Sequence, residues 1–136
     1  MLAELQATAA AYALNDWLLG QLADFTAEDW SIQDACGHDA RWLAGHLATY
    51  RRRALALLGA TVEPLPWEAA FVRGKGAADL PADLDPAAVV AAFHAAQADM
   101  VGRWDGLDEA ALARPAGRRL PAGSENVGGA IRFLAW

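Results

Sequence analysis

The chain has 136 residues, enough for one domain with a single core, and carries a net charge of −6. An acidic chain with no Lys or Arg before Arg41 is poorly suited to binding phosphate backbones, so a nucleic-acid partner is excluded. No apolar run approaches the roughly 18 to 20 residues of a membrane span, and the N-terminus lacks the pattern of a signal peptide. The single cysteine, Cys36, excludes an internal disulfide, and we expect a cytoplasmic protein.

The 34 alanines favour helices, and the first predicted helix runs from Leu2 to about Phe25. Apolar residues at three- and four-residue steps predict its buried face: Ala7, Ala11, Leu14, Leu18, Leu22 and Phe25. Tyr12 and Leu19 form a second apolar edge. A polar loop, Thr26 to about Asp39, contains Trp30 and follows this helix.

The second predicted helix runs from about Asp39 to Leu58, where Gly59 ends it. Its predicted buried face consists of Leu43, Leu47, Tyr50, Ala54 and Leu57, and His46 lies beside this face. Arg41 and Arg52 fall on the opposite side, and the Arg51–Arg53 run is interpreted as a solvated helix end. A role for that run in holding a substrate carboxylate is the alternative.

A long connection from Gly59 to Asp85 predicts a crossover along a bundle. Asp85-Pro86 starts the third helix, and its buried face is predicted as Val89, Phe93, Gln97, Met100 and Trp104. After a loop from Gly106 to Gly123, Ser124 with Glu125 caps a fourth helix, whose first core residues are Ile131, Phe133, Leu134 and Trp136. Without repeats or strand-like alternation, we predict an all-α four-helix bundle, one domain over residues 1–136 with its last helix cut short.

Three histidines, His38, His46 and His94, are the candidate metal ligands, but their spacing alone is a weak metal signal. His38 and His46 on one helix would be about 12 Å apart. On the residues alone, His46 is most simply a buried histidine with a backbone partner. Cys36 beside His38 is interpreted as a buried or idle thiol rather than a nucleophile.

Two further features have a plain interpretation and a functional alternative. The Arg73-Gly74-Lys75-Gly76 stretch is interpreted as a solvated turn, and binding of an anion is the alternative. Asp16 is interpreted as an exposed residue at a helix seam. Its alternative role is an inward carboxylate that supports the site.

One stretch carries a family resemblance. Trp30 followed by Arg41-Trp42-Leu43-Ala44-Gly45-His46-Leu47-Ala48 resembles the helix-two signature of the DinB-like superfamily, in which the histidine binds a metal. The stretch from Ser124 to Trp136 is similar to the lead-in of the family's fourth helix, and Asn15-Asp16-Trp17-Leu18-Leu19 fits its first helix less specifically. The resemblance implies an up-down-down-up bundle, which the long crossover suits.

The resemblance also implies a function. His46 is the one residue that it marks as a metal ligand, for a divalent ion such as zinc, nickel or iron. The family's H-x-x-x-H pair would begin directly after Trp136, so we expect the chain to be a truncated version of a longer protein. The alternative is a member of the family that has lost the site. Relatives include bacterial transferases and isomerases that use bacillithiol or mycothiol in stress responses and detoxification. We therefore expect a thiol-dependent S-transferase or isomerase with a low-molecular-weight thiol as partner. The alternative is a non-catalytic, homodimeric helical-bundle protein with no metal.

Overall fold

The protein is helical, as predicted. The computed structural model describes residues 2–117 and 125–135, and within these ranges it contains six α-helices and no strand. The four long helices correspond to the four predicted ones, while two short helices lie in segments predicted as loops. The helices are α1 (Gln6–Gly20), α2 (Ala27–Ser31), α3 (Ala40–Leu57), α4 (Pro86–Arg103), α5 (Glu109–Ala113) and α6 (Val127–Leu134).

The ends of the long helices are set by local chemistry. Asp39 caps α3 by accepting a 2.8 Å hydrogen bond from the Trp42 amide, and Gly59 ends it with φ +83. Asp85 caps α4 in the same way, with Pro86 at the first helical position, as predicted. Asn126 is the N-cap of α6, so the cap predicted at Ser124 and Glu125 is wrong by two residues; Ser124 itself lies outside the described residues.

The buried face of α1 differs from the prediction. Leu14 and Leu18 are 50% and 45% exposed, and Phe25 is exposed as well. The edge that contains Tyr12 and Leu19 is buried instead. Helix α1 packs against α4. The Tyr12 hydroxyl donates a 3.0 Å hydrogen bond to the Ile131 carbonyl of α6.

The buried face of α3 is also rotated from the predicted one. Leu43 is 48% exposed, whereas Ala44, Ala48 and Leu55 are buried. Small side chains at the contact let two helix axes approach closely, and α3 packs most extensively against α4. The interpretation of Arg51 as part of a solvated helix end is wrong, because its side chain is only 2% exposed.

The face of α4 is as predicted: Val89, Phe93, Gln97, Met100 and Trp104 are all buried. On α6, Ile131 and Leu134 are buried as predicted, Phe133 is exposed, and Trp136 lies outside the described residues.

The long helices are connected by packing and by hydrogen bonds. α3 packs against α4 and α6, and α5 packs against α6. The Asn15 side chain donates a 3.0 Å hydrogen bond to the Ala135 carbonyl, which holds the end of α6 against α1. The up-down-down-up order of a four-helix bundle stays a prediction. In the described ranges, no helix has both the length and the apolarity that crossing a bilayer requires.

Candidate functional site

His46 lies on α3, half-buried, with a defined partner for one ring nitrogen. Its Nδ1 is 3.2 Å from the carbonyl oxygen of Phe71, in the connection between α3 and α4. Because a carbonyl oxygen only accepts, Nδ1 carries the hydrogen, and in the neutral ring Nε2 keeps its lone pair. The backbone partner expected of a buried histidine is therefore present. It also leaves Nε2 as the nitrogen available to a ligand.

Gly45 explains how the Phe71 carbonyl reaches His46. An ideal Cβ at position 45 would lie 2.2 Å from Phe71 Cζ, so the phenyl ring lies directly against the α3 backbone. Phe71 is fully buried and packs edge-on against Trp67 at 5.5 Å between ring centroids. The glycine before His46 therefore leaves room for Phe71, in the connection between α3 and α4, to pack against the helix.

Aromatic rings stack along α3 on both sides of His46. Ring centroids are 4.0 Å apart for His38–Trp42, 4.7 Å for Trp42–His46 and 4.4 Å for His46–Tyr50. We call these four residues the ring column. The ring column was not predicted from the sequence. Its four aromatic residues follow one another at four-residue steps from 38 to 50, and this spacing could have indicated it, because residues at i and i+4 are neighbours on a helix. The Trp42 ring lies between His38 and His46, so these two histidines do not converge on one point.

The environment of His46 favours the neutral imidazole. Burial lowers its pKa from the usual 6.5; the hydrogen bond to Phe71 opposes this, and the positive charge of Arg53 adds to the lowering. A metal ion requires the neutral ring, since a protonated imidazole has no lone pair to donate. His46 thus has the protonation state and the free nitrogen of a ligand.

The family of this chain follows from a comparison over almost its full length. A family model for the DinB superfamily matches residues 7–136. The chain belongs to the DinB superfamily. No curated protein and no solved structure matches it. DinB proteins are generally associated with metals, which agrees with a ligand role for His46.

The donor set of this DinB chain is incomplete within residues 2–117 and 125–135. No group of three or more His, Cys, Asp or Glu side chains there is arranged to hold a metal ion. A tetrahedral site with an open position needs three protein ligands, so His46 fits as one ligand while the described residues do not fit a whole site.

The other histidines of the DinB chain have different partners. His94 on α4 pairs with Asp16 on α1, with 2.7 Å between Nδ1 and Oδ1. Asp16 therefore contacts His94 directly, an interaction that the sequence did not reveal. His38 lies 3.6 Å from Asp34 and stacks on Trp42.

The remaining candidates lie at the surface. Cys36 is exposed, and its amide donates a 2.8 Å hydrogen bond to Asp34. Arg73, Gly74 and Lys75 are exposed, and Lys75 forms a 3.0 Å ion pair with Asp79. The exposure of residues 73–75 agrees with a solvated turn, and the Cys36 thiol is exposed rather than buried.

A buried cation on α3 was missed by sequence analysis. The Arg51 guanidinium donates to Gln97 Oε1 and lies 3.7 Å above the Tyr12 ring, with Phe93 on another side. Burial lowers its pKa to about 10, so it stays charged at neutral pH. No sequence pattern indicated this burial, because arginine side chains are mostly exposed.

Proposed function

We propose that this DinB protein binds a divalent metal, namely zinc, nickel or iron, and that Nε2 of His46 is one of the ligands. The supporting observation is the hydrogen bond from Nδ1 to the Phe71 carbonyl. Histidines that bind metals usually donate their other ring N–H to a carbonyl or carboxylate, which fixes the tautomer and the ring orientation.

The other ligands are proposed from the resemblance, because the fourth helix of the family carries an H-x-x-x-H pair that completes the site. Packing of α6 against α3, the helix that carries His46, supports this proposal. A bound divalent ion with an open position would deprotonate a coordinated thiol at neutral pH. The proposed activity is a thiol-dependent S-transfer or isomerisation in bacterial stress responses, with a low-molecular-weight thiol as co-substrate.

The proposed metal site also requires an arrangement of the helices that brings its ligands together. We propose that α1, α3, α4 and α6 form an up-down-down-up bundle in which the long connection between α3 and α4 is the crossover. We also propose a cytoplasmic location, in which the single cysteine Cys36 stays reduced.

The test is the metal content of the protein expressed from its coding frame read past Trp136. Mass spectrometry of the purified protein should find about one divalent ion per chain. His46→Ala should lose that ion, whereas the matched control His94→Ala should keep it, because His94 has Asp16 as partner instead. A stop codon directly after Trp136, or equal metal content in His46→Ala, would contradict the proposal.

A second candidate function is a non-catalytic, homodimeric binding protein. The observation in its favour is a set of exposed apolar residues on α1, namely Leu14, Trp17 and Leu18. This hypothesis predicts a dimer by light scattering, no metal, and monomers for Trp17→Glu. A monomer with bound metal would exclude it.

A further inference from the structure

A second candidate site lies away from the ring column, in a cavity of about 450 Å³. It is formed by the end of α1 and the turn after it, by Trp30 of α2, and by the first turns of α4. Its volume is in the range of small-molecule sites. Neither His46 nor any other member of the ring column lines it, so the inference is independent of the proposed metal site.

The walls of this cavity are apolar and partly aromatic. Leu19, Leu22 and Val90 line it, and Phe25 packs edge-on against Trp30 with 5.5 Å between ring centroids. Such walls favour a flat apolar body, since aromatic rings prefer offset or edge-to-face contacts with other rings.

A single ionisable residue, His94, lies in the described lining of the cavity. Its Nδ1 is 2.7 Å from Asp16 Oδ1. An ionised carboxylate only accepts, so Nδ1 donates to it, and the neutral ring then offers the lone pair of Nε2 to a ligand. Both side chains are partly solvated, 39% and 42% exposed for His94 and Asp16, so a ligand can reach the pair.

We propose that this cavity binds a small, neutral aromatic alcohol whose hydroxyl donates a hydrogen bond to Nε2 of His94. Recognition of an anion is disfavoured, because the described lining residues include no Lys or Arg and the Asp16 carboxylate pairs with Nδ1 of His94. Burying an unpaired charge between apolar walls is costly. A phenol or naphthol places its ring between the walls and its single polar group at His94, the single ionisable side chain of the described lining.

Three ligands that share one ring system test this proposal on the 136-residue chain at pH 7.5. The probe 2-naphthol has a hydroxyl donor, 2-methoxynaphthalene has the same ring but no donor, and 2-naphthoate has a negative charge. Titration calorimetry should give the tightest binding for 2-naphthol, about fivefold to tenfold tighter than for the methyl ether, as expected for one neutral hydrogen bond. In NMR spectra, 2-naphthol should shift the His94 ring resonances.

Variants separate the polar contact from the apolar one. His94→Phe should remove the difference between 2-naphthol and 2-methoxynaphthalene. Ala91→Phe fills the cavity and should abolish binding of both. Ala98→Phe is the matched control, because Ala98 is exposed two turns further along α4 outside the cavity lining, and it should bind normally.

Three results would overturn the proposal. They are equal affinity for 2-naphthol and its methyl ether, tighter binding of 2-naphthoate, and no saturable binding of 2-naphthol up to its solubility. The comparison of ligands needs only the unmodified chain, so it decides the matter even if a variant fails to fold.

Discussion

Replacing Gly45 with alanine should push Phe71 away from α3. The added methyl carbon would lie 2.2 to 2.5 Å from three ring carbons of Phe71, whereas ordinary contacts are 3.4–4 Å. The ring must therefore move by about 1 Å or more, although it is fully buried. Overpacking of this kind costs about 1–3 kcal/mol. Alanine in a helix interior returns about 1 kcal/mol relative to glycine. We expect Gly45→Ala to lower the free energy of unfolding by up to about 2 kcal/mol.

Gly102→Ala is the matched control for this substitution. Gly102 lies in α4, and a Cβ there would meet no atom within 4 Å. No steric cost then offsets the gain in helix propensity, so Gly102→Ala should be more stable than the unmodified protein by up to about 1 kcal/mol. Because both variants share that gain, the difference between them measures the contact with Phe71.

Urea denaturation gives the free energies, and thermal melts should separate the two variants by roughly 4 to 12 °C for a chain of this size. Nitrogen-15 shifts of the His46 ring report on the same event, since a displaced Phe71 loses its hydrogen bond to Nδ1. If Gly45→Ala stabilises the protein as much as Gly102→Ala does, Phe71 does not lie against α3, and our account of how His46 is held is wrong.

Three more predictions concern buried polar groups. Gln97→Leu should destabilise the fold by about 1.5–3 kcal/mol, because it leaves the buried Arg51 guanidinium without its acceptor. In a double-mutant cycle measured by urea denaturation, adding Arg51→Met should recover most of that loss. Additive effects of the two substitutions would refute this prediction. Tyr12→Phe should lower stability by about 1 kcal/mol by removing the hydrogen bond to Ile131 on α6, and an unchanged urea midpoint would contradict this. The lowered pKa of His46 means that the unfolded chain binds a proton at this residue more readily than the folded one. The contribution of His46 to the free energy of unfolding should therefore be fully present above pH 6.5 and decrease as the pH drops below it. The difference between the melting temperatures at pH 7.5 and pH 5 should be smaller in His46→Phe than in the unmodified protein. An equal difference in both proteins would show that His46 does not cause this pH dependence.

Sequence patterns predicted α4 well and the faces of α1 and α3 poorly, for a physical reason. On α4, large side chains such as Phe93 and Met100 fall in one stripe, so periodicity identifies the buried face without ambiguity. On α3, apolar residues occur around much of the helix, and the side that packs against α4 is lined by Ala44 and Ala48, whose burial carries little hydrophobic signal. Large residues such as Leu43 then remain outside, although a pattern analysis places them in the core.

The candidate site could be predicted in one part only. The resemblance identifies His46, and the backbone partner of its ring follows from the general rule that buried polar groups are paired. Which backbone group that is depends on Phe71, 25 residues further along the chain. The pairing of His94 with Asp16 spans 78 residues between two helices. Such contacts depend on how the helices are rotated against each other, which the periodicity of this alanine-rich chain leaves undetermined.

The ring column has a consequence for the entropy of binding at His46. An isolated histidine side chain rotates about two bonds and loses about 0.5–1.5 kcal/mol of conformational freedom when a ligand fixes it. In this fold, the Trp42 and Tyr50 rings flank the imidazole, and the Phe71 carbonyl holds Nδ1. The ordering is therefore part of folding, and a ligand of Nε2 meets a ring that is already oriented. Trp42 would therefore influence the affinity for a ligand of Nε2 by orienting the imidazole, without binding the ligand itself.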